Sequence, residues 1–118
     1  IVCGHYGCGG VRAALLPPEP SLPHVNRRIA PLCSLAKAHR EELQGHEGER
    51  ERVNRLAELN VLEQVRGLRA HPIVRDADQA PLVHGWIFAL EDGRIKVLTS
   101  GYEADDAMTC ATAAHSAA

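Results

Sequence analysis

His5-Tyr6-Gly7-Cys8 holds the residue types in this sequence best suited to chemistry. Imidazole nitrogen and thiolate sulfur are both good zinc ligands, at about 2.0–2.1 Å and about 2.3 Å respectively. Three positions separate them across what reads as a strand-to-helix turn, so both side chains can address one point. Gly7, Gly9 and Gly10 surround the pair. Glycine lets backbone come close to a metal or a small ligand, which makes Gly9 and Gly10 the candidate substrate-binding positions. Cys8 is expected at a helix N-terminus, where the helix dipole favours a thiolate. Two ligands do not complete a tetrahedral site. Cys3 shares a strand face with His5 and is a further candidate, although strand geometry makes convergence of all three difficult. Cys33 and Cys110 complete the four cysteines. Without a secretory signal, free thiols in a reducing, cytoplasmic compartment are the simplest reading.

The elements that must position this pair follow from the pattern. Ile1 to Gly4 reads as the end of a buried strand. Val11 to Leu16 reads as a short helix stopped by Pro17-Pro18-Glu19-Pro20. Asn26 is a plausible cap for a helix running to about Leu43. Pro31 is awkward there, and the alternative start is near Ala30 with Pro31 in the first turn. A second long helix is expected from Glu49 to Leu68. Val53, Leu56, Ala57, Val61 and Leu68 recur at helical spacing, and Leu59, Leu62 and Val65 widen the stripe. Such width suits burial against a sheet and an interface with a partner.

His71 to Val74 reads as extended. Leu82 to Leu90 is strand-like, with Trp86 expected in the core. Asp92-Gly93 is a hairpin signal, and Ile95 to Thr99 is the returning strand. Residues 1–100 form the expected domain. Residues 101–118 are expected to be a tail, a frayed helix or disordered. The fold class expected is α/β, a mainly parallel sheet flanked by helices with a C-terminal hairpin. The chain opens without Met in what looks like a strand interior. That suggests truncation at the N-terminus, and the missing strands are expected upstream.

Composition excludes several classes. The chain has 118 residues, 45% hydrophobic and 24% charged, with net charge -2. No basic footprint for nucleic acid is present. No apolar run approaches the roughly 20 residues of a membrane span. The acidic residues Asp76, Asp78, Glu91 and Asp92 read as solvated turns rather than a cation site. No nucleophile elbow, Walker loop or dinucleotide fingerprint occurs, since Gly7-x-Gly9-Gly10 lacks the required spacing.

Ile1-Val2-Cys3-Gly4-His5-Tyr6-Gly7-Cys8-Gly9-Gly10-Val11 closely resembles the second zinc motif of the β-class carbonic anhydrases. Glu58 to Val65 resembles the helix behind that family's active site, and Val83 to Gly93 its late strand and hairpin. The order is right over residues 1 to 99, and bacterial members look most similar.

The resemblance implies Zn²⁺ held by one histidine and two cysteines, with water or aspartate in the fourth position. His5 and Cys8 match half of this site. The other half, an upstream cysteine-x-aspartate-x-arginine motif, has no counterpart in this chain. No catalytic residue is therefore assigned here. The implied activity is reversible hydration of carbon dioxide to bicarbonate by a homodimer or higher homo-oligomer, with the isolated chain impaired. The alternative is a non-catalytic zinc-binding or subunit-assembly module. Proton transfer in the family often uses histidine. His24, His39, His46, His71, His84 and His115 qualify by type only.

Overall fold

The computed structural model describes residues 1–102. The expected tail over 101–118 lies almost wholly outside them. The elements in chain order are β1 (Val2–His5), α1 (Gly9–Ala14), α2 (Pro23–Ala38), α3 (Arg40–Gln44), α4 (Glu49–Ala70), α5 (Pro72–Arg75), β2 (Gly85–Ala89) and β3 (Arg94–Thr99).

The fold is α/β around a small mixed sheet. Its strand order is β1-β2-β3. The β1 and β2 strands run parallel, with Cys3 opposite Trp86 and His5 opposite Phe88. The β2–β3 pair is antiparallel and places Trp86 opposite Val97 and Phe88 opposite Ile95. Parallel neighbours need a crossover connection, and here the helices supply it.

Helix α4 is the beam of the structure. Its wide apolar stripe buries Val53, Leu56, Ala57, Leu59, Val61 and Val65, and Ile87 of β2 is wholly buried with them. Leu68, expected in the stripe, is 44% exposed. The helix lies very close to the sheet. A Cβ built on Gly4 would sit 2.7 Å from Val61 Cγ2 and 3.1 Å from Ile87 Cδ1. Only glycine admits that approach. The same alternation turns Cys3 and His5 to the opposite face, where both are exposed. The expectation of a buried strand at Ile1 to Gly4 is thus corrected, since only one face of β1 is covered. Trp86 shares that outer face and is half-buried rather than in the core.

Local chemistry explains the other departures. Helix α2 begins at Pro23, not Asn26, because proline at the first helical position gives up an N–H that has no partner anyway. Asn26 sits in the first turn, where its Nδ2 donates to the Glu19 carbonyl at 2.8 Å. Pro31 lies inside α2. The helix ends at Ala38, and His39 joins it to α3 instead of letting one helix run to Leu43. His71 to Val74 is not extended. Pro72 opens α5, and the His71 ring caps it by accepting from Ile73 N at 3.3 Å.

The hairpin turn is longer than a two-residue Asp-Gly turn. Within this turn only Gly93 has positive φ, at 70°. Gly93 N–H donates to the Ala89 carbonyl at 2.9 Å, and Arg94 N–H donates to Asp92 Oδ1 at 3.0 Å.

Candidate metal centre

The sheet ladder delivers His5 to a fixed place. Tyr6 N–H continues the parallel ladder, donating to the Phe88 carbonyl at 3.0 Å. The chain then turns through Gly7 at φ 66°, a left-handed conformation that costs a side-chain-bearing residue about 1–2 kcal/mol. Cys8 follows as the N-cap of α1. Its side chain makes no capping hydrogen bond, while its carbonyl accepts from Arg12 N–H at 3.0 Å. His5 and Cys8 thus flank a two-residue turn, one exposed and one half-buried. Gly9 and Gly10 open α1, and both are exposed. A Cβ on Gly9 would meet nothing within 4 Å, and one on Gly10 would meet only Cys8 Sγ at 3.9 Å.

The His5 ring carries a telling contact. Its Nδ1 lies 3.1 Å from the Tyr6 carbonyl. A carbonyl only accepts, so this contact puts a proton on Nδ1 and, in the neutral ring, leaves the lone pair on Nε2. Fixing one ring nitrogen through a backbone carbonyl is how ligating histidines are oriented.

The turn is tied to α4 at two points. Gly7 N–H donates to Asn54 Oδ1 at 3.0 Å. The Tyr6 hydroxyl donates to Glu58 Oε1 at 2.5 Å. Glu58 is only 7% exposed. It also accepts from Arg55 Nη1 at 3.0 Å and from Lys96 Nζ at 3.1 Å. Arg55 Nε reaches on to Glu42 of α3, which in turn meets His39 Nδ1 at 3.2 Å.

Burial alone would raise the Glu58 pKa. Hydrogen bonds from Tyr6, Arg55 and Lys96, with the Lys96 charge, outweigh it and hold the carboxyl below its usual value. Glu42 is likewise lowered: burial opposes ionisation, and Arg55 with His39 overcomes it. The Tyr6 hydroxyl is pushed well up, first by burial and then by its bond to the Glu58 carboxylate. Tyr6 is therefore a neutral donor at physiological pH. Arg55 Nη2 is buried with no hydrogen-bond partner among the described residues.

Asn54, Arg55 and Glu58 are the residues that sequence reasoning missed. The available signal was a carboxylate inside the apolar run Leu56-Ala57-Glu58-Leu59, with Asn54 one turn earlier on the same side.

Other candidates have ordinary duties. His71 caps α5. His84 Nδ1 accepts from Gly101 N–H at 3.0 Å, and its ring stands edge-on to Tyr102. His24 is exposed on α2, His39 meets Glu42, and His115 lies outside the described residues. The four acidic turn residues do not gather. Asp76 pairs with Arg75, Glu91 with Arg50, and Asp92 with the turn backbone and Arg94. Cys3, Cys8 and Cys33 are free thiols, and Cys110 lies outside the described residues. A groove of about 600 Å³ between α1, α2 and α3, lined by Leu15, Ile29, Cys33 and Leu43, includes neither His5 nor Cys8.

Among the described residues no three His, Cys, Asp or Glu side chains gather closely enough to hold a metal. His5 and Cys8 fit zinc as donor types, and the His5 tautomer suits ligation. Among the described residues neither Cys3 nor Cys33 joins them in a group of three.

The family model for carbonic anhydrase matches residues 1–95. A carbonic anhydrase of Emericella nidulans is 41% identical over 101 residues, covering 83% of this chain and 43% of that protein. A carbonic anhydrase of Pseudomonas aeruginosa is 34% identical over 104 residues, covering 83% of this chain and 45% of that protein. Among solved structures, a tetrameric β-carbonic anhydrase of Sordaria macrospora matches with a TM-score of 0.76 at 37% identity, covering 81% of this chain and 49% of that one. The chain belongs to the β-class carbonic anhydrases. It spans a little under half the length of these relatives. The expected leaning toward bacterial members is not seen here, since the fungal protein from Emericella has the higher identity.

Proposed function

We propose that this chain carries the His5–Cys8 half of the zinc site of an enzyme that interconverts carbon dioxide and bicarbonate. The observation that carries the proposal is the His5 ring, pinned by the Tyr6 carbonyl with Nε2 free, on a turn that also bears Cys8. In this reading His5 Nε2 and the Cys8 thiolate are two protein ligands to zinc. The third comes from outside the described residues, either from the remainder of a full-length protein or from a second subunit. Zinc held in such a site supplies hydroxide at neutral pH, by lowering the pKa of water from about 15.7 to about 7. Gly9 and Gly10, exposed and without side chains, leave room for carbon dioxide to approach. The net reaction joins carbon dioxide and water into bicarbonate and a proton that passes to solvent.

The comparisons favour the enzyme over a non-catalytic assembly module, because the matched relatives are named carbonic anhydrases. A homo-oligomeric, cytoplasmic enzyme fits this reading. The Sordaria macrospora relative is tetrameric, three cysteines are free thiols, and among the described residues no helix is long and apolar enough to cross a membrane.

Stopped-flow carbon dioxide hydration tests the proposal. The complete gene product is expected to be active, and Cys8→Ser and His5→Ala are each expected to abolish activity. The 118-residue chain alone is expected to give only the uncatalysed rate. A fully active Cys8→Ser variant would remove the basis of the assignment.

A further inference from the structure

We infer that Asn54 and Glu58, one helical turn apart on α4, are positioning residues that set the geometry of the His5–Cys8 pair. The inference rests on the zinc reading above and names what aims that site. Apolar packing of Val61 and Ile87 around Gly4 holds β1 against α4, but such contacts are non-directional. They fix the distance between strand and helix without fixing the twist of the turn beyond. The two directional links lie between the ligand candidates. Asn54 Oδ1 receives the Gly7 N–H at 3.0 Å, and Glu58 Oε1 receives the Tyr6 hydroxyl at 2.5 Å.

These links act on different parts of the turn. The Gly7 bond fixes the peptide just before Cys8. The Tyr6 bond fixes the residue whose carbonyl holds His5 Nδ1. Glu58 is itself immobilised by Arg55 and Lys96, and Arg55 by Glu42, so its carboxylate is a rigid reference point. Asn54 and Glu58 act on His5 and Cys8 through Gly7 and Tyr6, the residues to which they are hydrogen-bonded. The carbonyl side chain at 54 supplies an acceptor, which aspartate retains and alanine lacks.

Cobalt in place of zinc in the complete gene product reads this directly, through affinity and the thiolate-to-cobalt charge-transfer band. Asn54→Ala is expected to weaken cobalt binding about 10–100-fold, the usual effect of losing an outer partner of a metal ligand, and to alter the band. Asn54→Asp is expected to restore both. Tyr6→Phe should weaken binding over the same range, leaving Glu58 its Arg55 and Lys96 bonds. Glu63→Gln, on an exposed pair with Arg66, should leave affinity and spectrum unchanged. Wild-type affinity and spectrum in both Asn54→Ala and Tyr6→Phe would overturn the inference, as would failure of Asn54→Asp to rescue.

Backbone order parameters of residues 5–8 in the metal-free protein keep the two readings apart. They are expected to fall in Asn54→Ala and to recover in Asn54→Asp, whether or not cobalt binds. Unchanged order in Asn54→Ala refutes the positioning role. A wild-type protein that takes up no cobalt, with the order change intact, refutes the zinc reading alone.

Discussion

Replacing Glu58 with glutamine keeps the side-chain volume and removes the one charge on which three donors converge. Glu58 binds Tyr6, Arg55 and Lys96, and only 7% of it is exposed. Breaking a buried charge pair by removing one partner costs about 3–5 kcal/mol. Two features of the structure reduce that. Arg55 keeps its bond to Glu42, and the Lys96 side chain is 46% exposed and can turn to water. The expected loss is therefore about 2–3 kcal/mol, at or just below the lower bound of that range.

The pH dependence has a definite sign. The folded pKa of Glu58 is depressed, so its stabilisation is present above the unfolded carboxylate value and is lost as pH falls through the folded one. The gap between wild type and Glu58→Gln should be full at pH 7 and close as the solution is acidified below the ordinary glutamate pKa of about 4.3. Urea unfolding at a series of pH values measures both quantities. A loss below about 0.5 kcal/mol at pH 7, the scale of an exposed pair, would refute the hub. So would a gap that stays constant down to acid pH.

Other expectations follow from single contacts. Gly4→Ala should destabilise by about 1–3 kcal/mol, measured by urea unfolding, because its methyl would meet Val61 Cγ2 at 2.7 Å. Gly7→Ala should cost about 1–2 kcal/mol for its φ of 66°, with space for the methyl since nothing lies within 4 Å of a Cβ there; thermal unfolding checks this. Pro31→Ala should stabilise the protein by roughly 1 kcal/mol or more, since proline inside α2 lacks the helical N–H, and a raised thermal midpoint would show it.

What was legible in the sequence was what repeats or what bends. The stripe of α4 is periodic, and its buried residues Val53, Leu56, Ala57, Val61 and Val65 match the expected face. The Gly7 turn and the Gly93 turn were marked by glycines that take positive φ. Helix ends were less legible. Asn26 and Pro23 both carry start signals, and proline at the first position prevailed. Pro72 with a capping His71 made a turn of helix where an extended stretch was expected. Trp86 misled because residue type says how apolar a side chain is and not whether the sheet face that carries it is covered. Ile95 and Val97 on the same face are 52% and 58% exposed. The His5–Cys8 turn was visible as residue types, while its supports on α4 were not. Asn54 lies 47 positions from Gly7 and Glu58 lies 52 from Tyr6, and no local pattern links them.

The proposed function requires His5 and Cys8 to be zinc ligands. Zinc per chain in the complete gene product, by elemental analysis after exhaustive dialysis, tests it most directly when wild type is compared with His5→Ala and Cys8→Ser. Close to one zinc per chain is expected in wild type and close to none in either variant. Full zinc retention in both variants, with the fold intact, would contradict it.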